Sequence, residues 1–393
     1  MTSLAPVDRT SLVATRRDIH QHPELGFEET RTATLVADRL RTFGYEVTPG
    51  VGKTGVVALK RNGGRCVLLR ADMDALPVEE ANAVPYRSKH PGKMHACGHD
   101  GHVAIGLEVA RRLAPLGLGG SVKFAFQPAE EASNGAQAMI GDGVLDAPKV
   151  DGAFGIHLWN DLPVGTIGIM PGPVMASVDL FEIEILGRGG HAAAPHQTID
   201  PVLVAAHVVT GLQSLISRRR DPLAPAVISV TEVHAGRAFN VIPARADLRG
   251  TVRTFGGSFW DEAPRLVAET AQGIAAAFGA EAKVNYRRLS APLINDEGMS
   301  ALMRDVAAEL VGASNVRHGV RTMGGEDMAF FLERVPGCFA FVGSAPRTGG
   351  GTASPHHSPT FDIDEESLVI GAELLTKSAI RYLSADPGPS PRG

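Results

Sequence analysis

Cysteine is scarce in this sequence. Cys66, Cys97 and Cys338 lie far apart in a chain of 393 residues. So odd and sparse a set excludes a disulfide framework and points to a reducing, cytoplasmic setting. Cys66 and Cys338 sit in apolar runs and read as buried core thiols. Long apolar runs are missing too, and none approaches the roughly 20 residues of a membrane-spanning helix. The first residues, Met-Thr-Ser-Leu-Ala-Pro-Val-Asp-Arg, lack a charged start followed by an apolar core, so no signal peptide is visible. Positive charge is not in excess: 38 Lys and Arg stand against 43 Asp and Glu, a net charge of -5. That balance argues against non-specific binding of nucleic acid or of an anionic membrane surface. The basic run Arg218 to Arg220 follows a helix end, where cations suit the helix dipole. No internal repeat is present. With 44% hydrophobic and 21% charged residues, the chain can bury a large core and has the length of two or three domains.

The stretch Met94-His-Ala-Cys-Gly-His-Asp-Gly-His102 is where polar chemistry concentrates. Cys97 and His99 are separated by one glycine, so a thiolate and an imidazole can bend toward one point. They make a plausible soft ligand pair for a metal. The apolar residues that follow (Val103, Ile105, Leu107, Val109, Leu113) make the stretch a loop feeding the first turn of a helix. It is not the C-x-x-C of a structural zinc site or a redox pair. Taken alone, it also fits a polar loop with chance histidines.

Later stretches shift that balance. Helices are expected over about 8–21 and 30–43, the second closed by Gly44. In His20-Gln-His-Pro-Glu-Leu-Gly-Phe, the two histidines read best as makers of caps and local hydrogen bonds. A strand near 54–60 is followed by a continuous apolar strand over 65–70, which runs into Ala71-Asp72-Met73-Asp74-Ala75-Leu76-Pro77. Strand 121–127 ends in Pro128-Ala129-Glu130-Glu131, and strand 152–157 ends in His157. Each of these is weak alone, since an Asp-capped turn is common. Together they deliver Asp72, Asp74, Glu130, Glu131 and His157 to the carboxyl ends of successive strands, where open α/β sheets place their chemistry. A Gly-rich loop ending in His356-His357 is a further ligand source, of which at most one need be a ligand.

Composition changes near Met170-Pro-Gly-Pro. From there the expected order is strand 178–185, helix 201–217, strands 226–234 and 246–254, helix 260–278 and strand 282–288. That βαββαβ order is the order of a ferredoxin-like unit, read here as an insertion. Ser258 is expected to cap the second helix and Gly279 to end it. Helices 297–311, 327–334 and 365–383 and strand 338–343 then return to helix–strand alternation. The last residues read as a frayed tail.

In order along nearly the whole chain, Asp72-Met-Asp-Ala-Leu-Pro, Met94-His-Ala-Cys-Gly-His-Asp-Gly-His, Gln127-Pro-Ala-Glu-Glu, Gly190-His-Ala-Ala-Ala-Pro-His, Asn240-Val-Ile-Pro and His357-Ser-Pro resemble the M20 metallopeptidase family. The likeness is closest to its amidohydrolase branch of hippurate hydrolases, N-acyl amino acid amidohydrolases and indole-acetyl-amino-acid hydrolases. It implies an α/β fold: a di-metal catalytic domain, its mixed sheet flanked by helices, over 1–176 and 290–393. An inserted ferredoxin-like dimerisation, or lid, domain would span 177–289. It implies two divalent metal ions per subunit (Zn, Mn, Co or Ni), with Cys97, His99, Glu131, His157 and His357 as ligands. Glu131 and His357 would hold one ion and His99 and His157 the other, with Cys97 shared. The peptidase branch carries a bridging aspartate where Cys97 stands and a metal-binding histidine where Asp72 stands. Asp72 and Asp74 are therefore expected to support ligands rather than bind metal, and Glu326 likewise.

Glu130 and Glu131 are adjacent, so they should not do the same job. The resemblance gives Glu131 to the metal and Glu130 to general-base work, which needs only a positioned acceptor near a water of lowered pKa. It makes His191 the oxyanion donor, reaching the partner subunit's active site. It makes Asn240 and Arg253 the binders of the substrate carboxylate, for which Arg has bidentate geometry. A turn residue and a surface strand charge remain the plain alternatives for Asn240 and Arg253. The expected substrate is a small N-acyl amino acid and the expected assembly a homodimer, possibly a tetramer. A dipeptidase or carboxypeptidase of the same family is the near rival, against which Cys97 speaks. A catalytically inactive metal binder is the distant one, against which the intact Glu130 speaks.

Overall fold

The computed structural model describes residues 4–131, 134–346 and 353–385. The glycine run 347–352 and the tail from 386 lie outside the described residues. The chain divides into two compact units. One comprises Met1–Gly172, Ile294–Val320 and Asp327–Gly393; the other comprises Pro173–Leu293 and Arg321–Glu326.

The first unit begins with α1 (Arg9–His20) and α2 (Thr30–Thr42). Asp8 starts α1 by accepting from the Ser11 N–H at 3.0 Å, which satisfies one of the helix's orphan donors. Gly44, at φ +83, ends α2 in a conformation that favours glycine. There follow β1 (Glu46–Val51), β2 (Gly55–Lys60), β3 (Cys66–Asp72), α3 (His99–Leu113), β4 (Ser121–Gln127), α4 (Gly135–Gly141) and β5 (Gly152–Pro163). They form a mixed eight-stranded sheet in the order β1-β2-β4-β3-β5, then Gly337–Ala345, Ile167–Gly168 and Val316–Arg317. At its centre, β4, β3, β5 and Gly337–Ala345 run parallel. Strands β3 and β4 are buried along their whole length, as expected where a parallel sheet is covered. Helices α2, α3, Glu366–Ser384 and Glu297–Val311 contact one another in series and pack on the sheet.

Strand register decides which strand ends meet. Asp72 pairs with Gln127, and Leu69 pairs with Phe154. Three residues past that last pair, Asp72 and His157 stand level. The expected strand-end cluster is thus a property of the β4-β3-β5 register.

The second unit is a four-stranded antiparallel sheet in the order Ala226–Ala235, Arg245–Thr254, Val178–Leu186, Glu281–Ser290. In chain order that is 2-3-1-4, with the helices Pro201–Ser214 and Ser258–Ala277 packed on it. This is the ferredoxin-like βαββαβ arrangement. Val178–Leu186 alternates buried and half-buried residues, with Phe181, Ile183 and Ile185 in the core. Each unit has its own apolar cluster.

Some local expectations fail for identifiable reasons. Ser258 is the first helical residue rather than a cap, because Gly257 at φ +79 takes the capping position. The expected helix 327–334 shrinks to Ala329–Leu332. Strand β1 hides from period-2 reading because it is an edge strand that is largely exposed.

Candidate metal centre

The hub is Cys97, on the loop before α3. It sits with His99 and Glu131 in one group of ligand-type atoms and with His157 and His356 in another. Within each group all the atoms lie within 4.8 Å of one another. Gly98, at φ +90, separates Cys97 from His99, a left-handed turn that aims both side chains inward.

The proton positions on the rings separate ligand-type histidines from structural ones. His99 Nδ1 lies 2.9 Å from the Asp74 carbonyl oxygen, so it donates there, while Nε2 faces Asp72 Oδ2 at 3.6 Å with no aligned hydrogen bond. His157 Nδ1 donates to the Leu158 carbonyl at 2.7 Å, leaving Nε2 3.5 Å from Cys97 Sγ. A ring fixed through one nitrogen with the other open is the usual state of a metal-binding imidazole. His102 differs. It donates from Nδ1 to Asp72, and its Nε2 accepts the Leu158 N–H at 2.9 Å, so both nitrogens are used. His102 therefore buckles β3 to the strand end that carries His157.

The paired histidines also divide. His356 Nε2 accepts the Asn160 N–H at 3.3 Å, which leaves the ring proton on Nδ1, 3.7 Å from Cys97 Sγ. Its ring stacks on Trp159. In this arrangement His356 donates toward the sulfur. His357 is exposed at φ +66 and places Nε2 3.3 Å from Glu131 Oε1.

Electrostatics favour a cation here. Burial pushes the Cys97 thiol well above its usual value, and Glu131, Glu130 and Asp72 push it further. Burial alone would lower His99, but Asp72 and Asp74 raise it to about 10. Burial, followed by His102 and His356, drives His157 well below the usual imidazole range, so its ring is neutral and ready to ligate. His99 Nε2 and Glu131 Oε1 are buried and accept or donate no aligned hydrogen bond. An imidazole nitrogen without an aligned hydrogen bond, a buried carboxylate oxygen and a thiol among carboxylates fit divalent cations of borderline softness.

At neutral pH His99 and Cys97 are both protonated, and a cation must displace both protons. Binding of Zn²⁺ should release about two protons per chain and tighten steeply between about pH 6.5 and 8.5. Calorimetric titration in buffers of different ionisation enthalpy measures this directly. Affinity independent of pH over that range would contradict the assignment.

The turn after β4 carries the two adjacent acids. Asp74 accepts from the Glu130 N–H through Oδ1 and from the Glu131 N–H through Oδ2, each at 3.0 Å. Glu130 Oε1 in turn receives the Asp327 N–H at 3.4 Å. Beneath the turn lies a buried polar bundle. Arg70 donates to Asp72, to Gln127 Oε1 at 2.9 Å and to Asp327 Oδ1 at 3.1 Å. Gln127 Nε2 donates to Asp327 Oδ1 at 2.6 Å, and the Ala136 N–H to Asp327 Oδ2 at 3.0 Å. Burial pushes the Asp72 carboxyl up, but Arg70, His99 and His102 hold it well below the usual carboxylate range. Sequence reasoning missed Arg70, Gln127 and Asp327 in this bundle. Glu326 falls in the second unit, where its backbone oxygen accepts from Ser290 Oγ at 3.4 Å.

His20 also departs from expectation. His22 makes the local bond, to the Asp18 carbonyl at 2.8 Å. His20 instead contacts Asp100 Oδ2 at 2.8 Å and Glu80 Oε1 at 3.3 Å, beside the buried Arg16.

In the second unit, Gly190–His191 pairs with Val241–Ile242, and the Ala192 N–H donates to the Asn240 carbonyl at 3.0 Å. His191 and Asn240 are thus neighbours. His191 Nδ1 accepts the Ala193 N–H at 3.0 Å, so Nε2 carries the proton on an exposed ring. Arg253 is elsewhere. It pairs with Val227 near the far end of Arg245–Thr254, eight residues or about 26 Å along the strand from Arg245. Its Nε donates to Thr251 Oγ1 at 3.1 Å, and burial lowers its pKa.

Residues 68–381 match the model of peptidase family M20/M25/M40. The chain is 42% identical to an N-acetylcysteine deacetylase of Bacillus subtilis (strain 168) over 380 residues, 95% of this chain and 97% of that protein. It is 38% identical to a hippurate hydrolase of Campylobacter jejuni over 374 residues, 94% of this chain and 95% of that protein. A crystal structure of the Bacillus subtilis YXEP protein, described as a dinuclear metal-binding peptidase of the M20 family, superposes with a TM-score of 0.83 at 37% identity. That match covers 95% of this chain and 98% of that one. The expected strand-end ligand cluster and βαββαβ unit stand beside a family match over most of the chain: this protein belongs to the M20/M25/M40 peptidase family and is a hydrolase of amide bonds.

Proposed function

We propose that the protein hydrolyses the amide bond of N-acyl amino acids, releasing a carboxylic acid and a free amino acid. The observation that carries this reading is the Glu130–Glu131 turn. One carboxylate joins the ligand group of Cys97, and its neighbour is held beside it by its backbone N–H on Asp74. A storage site has no use for the second acid. Divalent cations, when bound by Cys97, His99, Glu131, His157 and His357, supply carbonyl polarisation and a water of lowered pKa. Zinc, manganese, cobalt and nickel all suit this donor set. Glu130 takes the proton of the attacking water and passes it to the leaving amine. The exposed Nε2–H of His191 suits the developing oxyanion. Asn240 and Arg253 suit the substrate's carboxylate.

His191 and Asn240 stand at one end of the second unit's sheet and Arg253 near the other. A small substrate cannot touch both ends in one chain, which supports a homodimer in which the two ends come from different subunits. Strand Ala226–Ala235 is an edge, with Val227 and Val233 exposed, and the outer face of Pro201–Ser214 exposes Val202 and Leu203. An exposed apolar edge of this kind is a natural pairing surface. No helix among the described residues is long and apolar enough to cross a membrane. The cytoplasm, with its reduced thiols, suits a Cys97 ligand.

Chelation should abolish hydrolysis of benzoyl-, acetyl- or indole-acetyl-amino acids, and one of the four cations should restore it. Cys97→Ser should weaken the metal, because a hydroxyl donates less well than a thiolate. Full activity in a rigorously metal-free sample would sink the reading. Preferential cleavage of dipeptides would favour the peptidase alternative.

A further inference from the structure

The segment His20-Gln-His-Pro-Glu-Leu-Gly-Phe-Glu-Glu29 supplies neither a ligand nor a reacting group. Its place in the fold gives it a different part. The turn Pro128–Glu131 is strained: Ala129 is not glycine and sits at φ +48, in the left-handed region that a Cβ disfavours. Something must hold it. Three successive N–H groups of this turn point at buried carboxylates. Those of Glu130 and Glu131 go to Asp74, and that of Ala129 goes to Glu29 Oε1 at 2.9 Å. The side chain of Glu29 is itself fixed, since its Oε2 accepts from Thr54 Oγ1 at 2.5 Å, and the residue is fully buried.

The segment is bolted in place from both sides. The Glu24 carboxylate accepts the Arg31 and Thr32 N–H groups at 2.8 Å each, securing the start of α2 next to Glu29. The Glu24 carbonyl accepts the Ala75 N–H at 2.8 Å, tying the segment to the loop that carries Asp74. Gly26 lies directly against the turn. A Cβ there would stand 3.0 Å from Ala129 Cβ and 3.1 Å from Ala129 Cα, with backbone on one side and no flexible side chain to yield.

We propose that Glu29 is a positioning residue for Glu130: with Gly26 behind it, Glu29 fixes the Ala129 amide and thereby sets where the Glu130 carboxylate stands. Glu29 touches no reacting atom. It acts through one backbone hydrogen bond on the residue before the base. The inference rests on the proposed hydrolytic role of Glu130, and its test separates the two.

Glu29→Ala, Glu29→Gln and Gly26→Ala are compared with wild type for kcat, KM, metal content and the visible spectrum of the cobalt-loaded protein. Glutamine keeps an acceptor for Ala129 and a partner for Thr54, so Glu29→Gln should stay within about 3-fold of wild type. Glu29→Ala should lower kcat about 10–100-fold with KM changed by less than about 3-fold and both metals retained. In a Glu130→Ala background, Glu29→Ala should cost less than about 2-fold, because its target is already gone. The same loss in both backgrounds, or wild-type kcat in Glu29→Ala, overturns the proposal. If Glu29→Ala fails to fold, Gly26→Ala decides, with the same kcat-selective loss expected. The cobalt spectrum reports Glu131 on the same turn. It should change in Glu29→Ala and remain as wild type in Glu29→Gln. If wild type cleaves no N-acyl amino acid, the hydrolytic reading fails, and an unchanged spectrum in Glu29→Ala would then reject the positioning role too.

Discussion

Glu130→Ala is expected to keep both metals and lose about 10²–10⁴-fold in kcat, the typical worth of a general base. Glu131→Ala is expected to lose metal as well as rate. The two acids are chain neighbours, yet the fold gives them different surroundings. Glu131 Oε1 is buried without an aligned hydrogen bond and lies 3.3 Å from His357 Nε2, within the group that holds Cys97 and His99. Glu130 Oε1 receives the Asp327 N–H instead. A ligand oxygen must be stripped of donors, whereas a base is oriented by one. Metal analysis of the two purified variants, beside their rates, checks the division. A metal-free Glu130→Ala with a metal-replete Glu131→Ala would mean that the roles are exchanged.

The parts of this molecule that were legible in sequence share a property: their signal is local. The apolar run Cys66–Leu69 and the alternating Val122, Phe124 and Phe126 announce buried strands, and the residues at each strand end are then marked as site candidates. The βαββαβ order follows from periodicity alone. The groups that were not legible act across long sequence separations. Asp327 reaches Gln127 and Ala136 about two hundred residues back, and nothing in Gly-Gly-Glu-Asp says which acid will do so. Glu29 meets Ala129 a hundred residues on, and His20 meets Asp100 eighty residues on. The different surroundings of His356 and His357 also turn on a long-range contact, that of His356 with Asn160 on β5. Sequence pattern finds the elements that bear the site, and tertiary hydrogen bonds decide which neighbour does the work.

Mixed dimers of two inactive variants are expected to regain activity at one site in two. His191→Ala removes the proposed oxyanion donor and should cost about 10²–10³-fold, as such donors do elsewhere. Glu130→Ala removes the base. Each homodimer is therefore nearly inactive. When the two chains are co-expressed with different affinity tags, dimers carrying one of each can be purified. The subunit with His191→Ala keeps its own Glu130 and takes a donor from His191 of the partner subunit, so that site is whole. The other site lacks both groups. The expectation comes from the second unit itself. Its ribbon holds His191 next to Asn240, while Arg253 lies about 26 Å along the strand from the end nearest them. Groups held that far apart in one unit are expected to serve one small substrate only if they belong to different chains. If purified mixed dimers stay as inactive as their parents, His191 does not act across subunits. The oxyanion donor would then have to be sought among the residues of the chain that also carries Glu130.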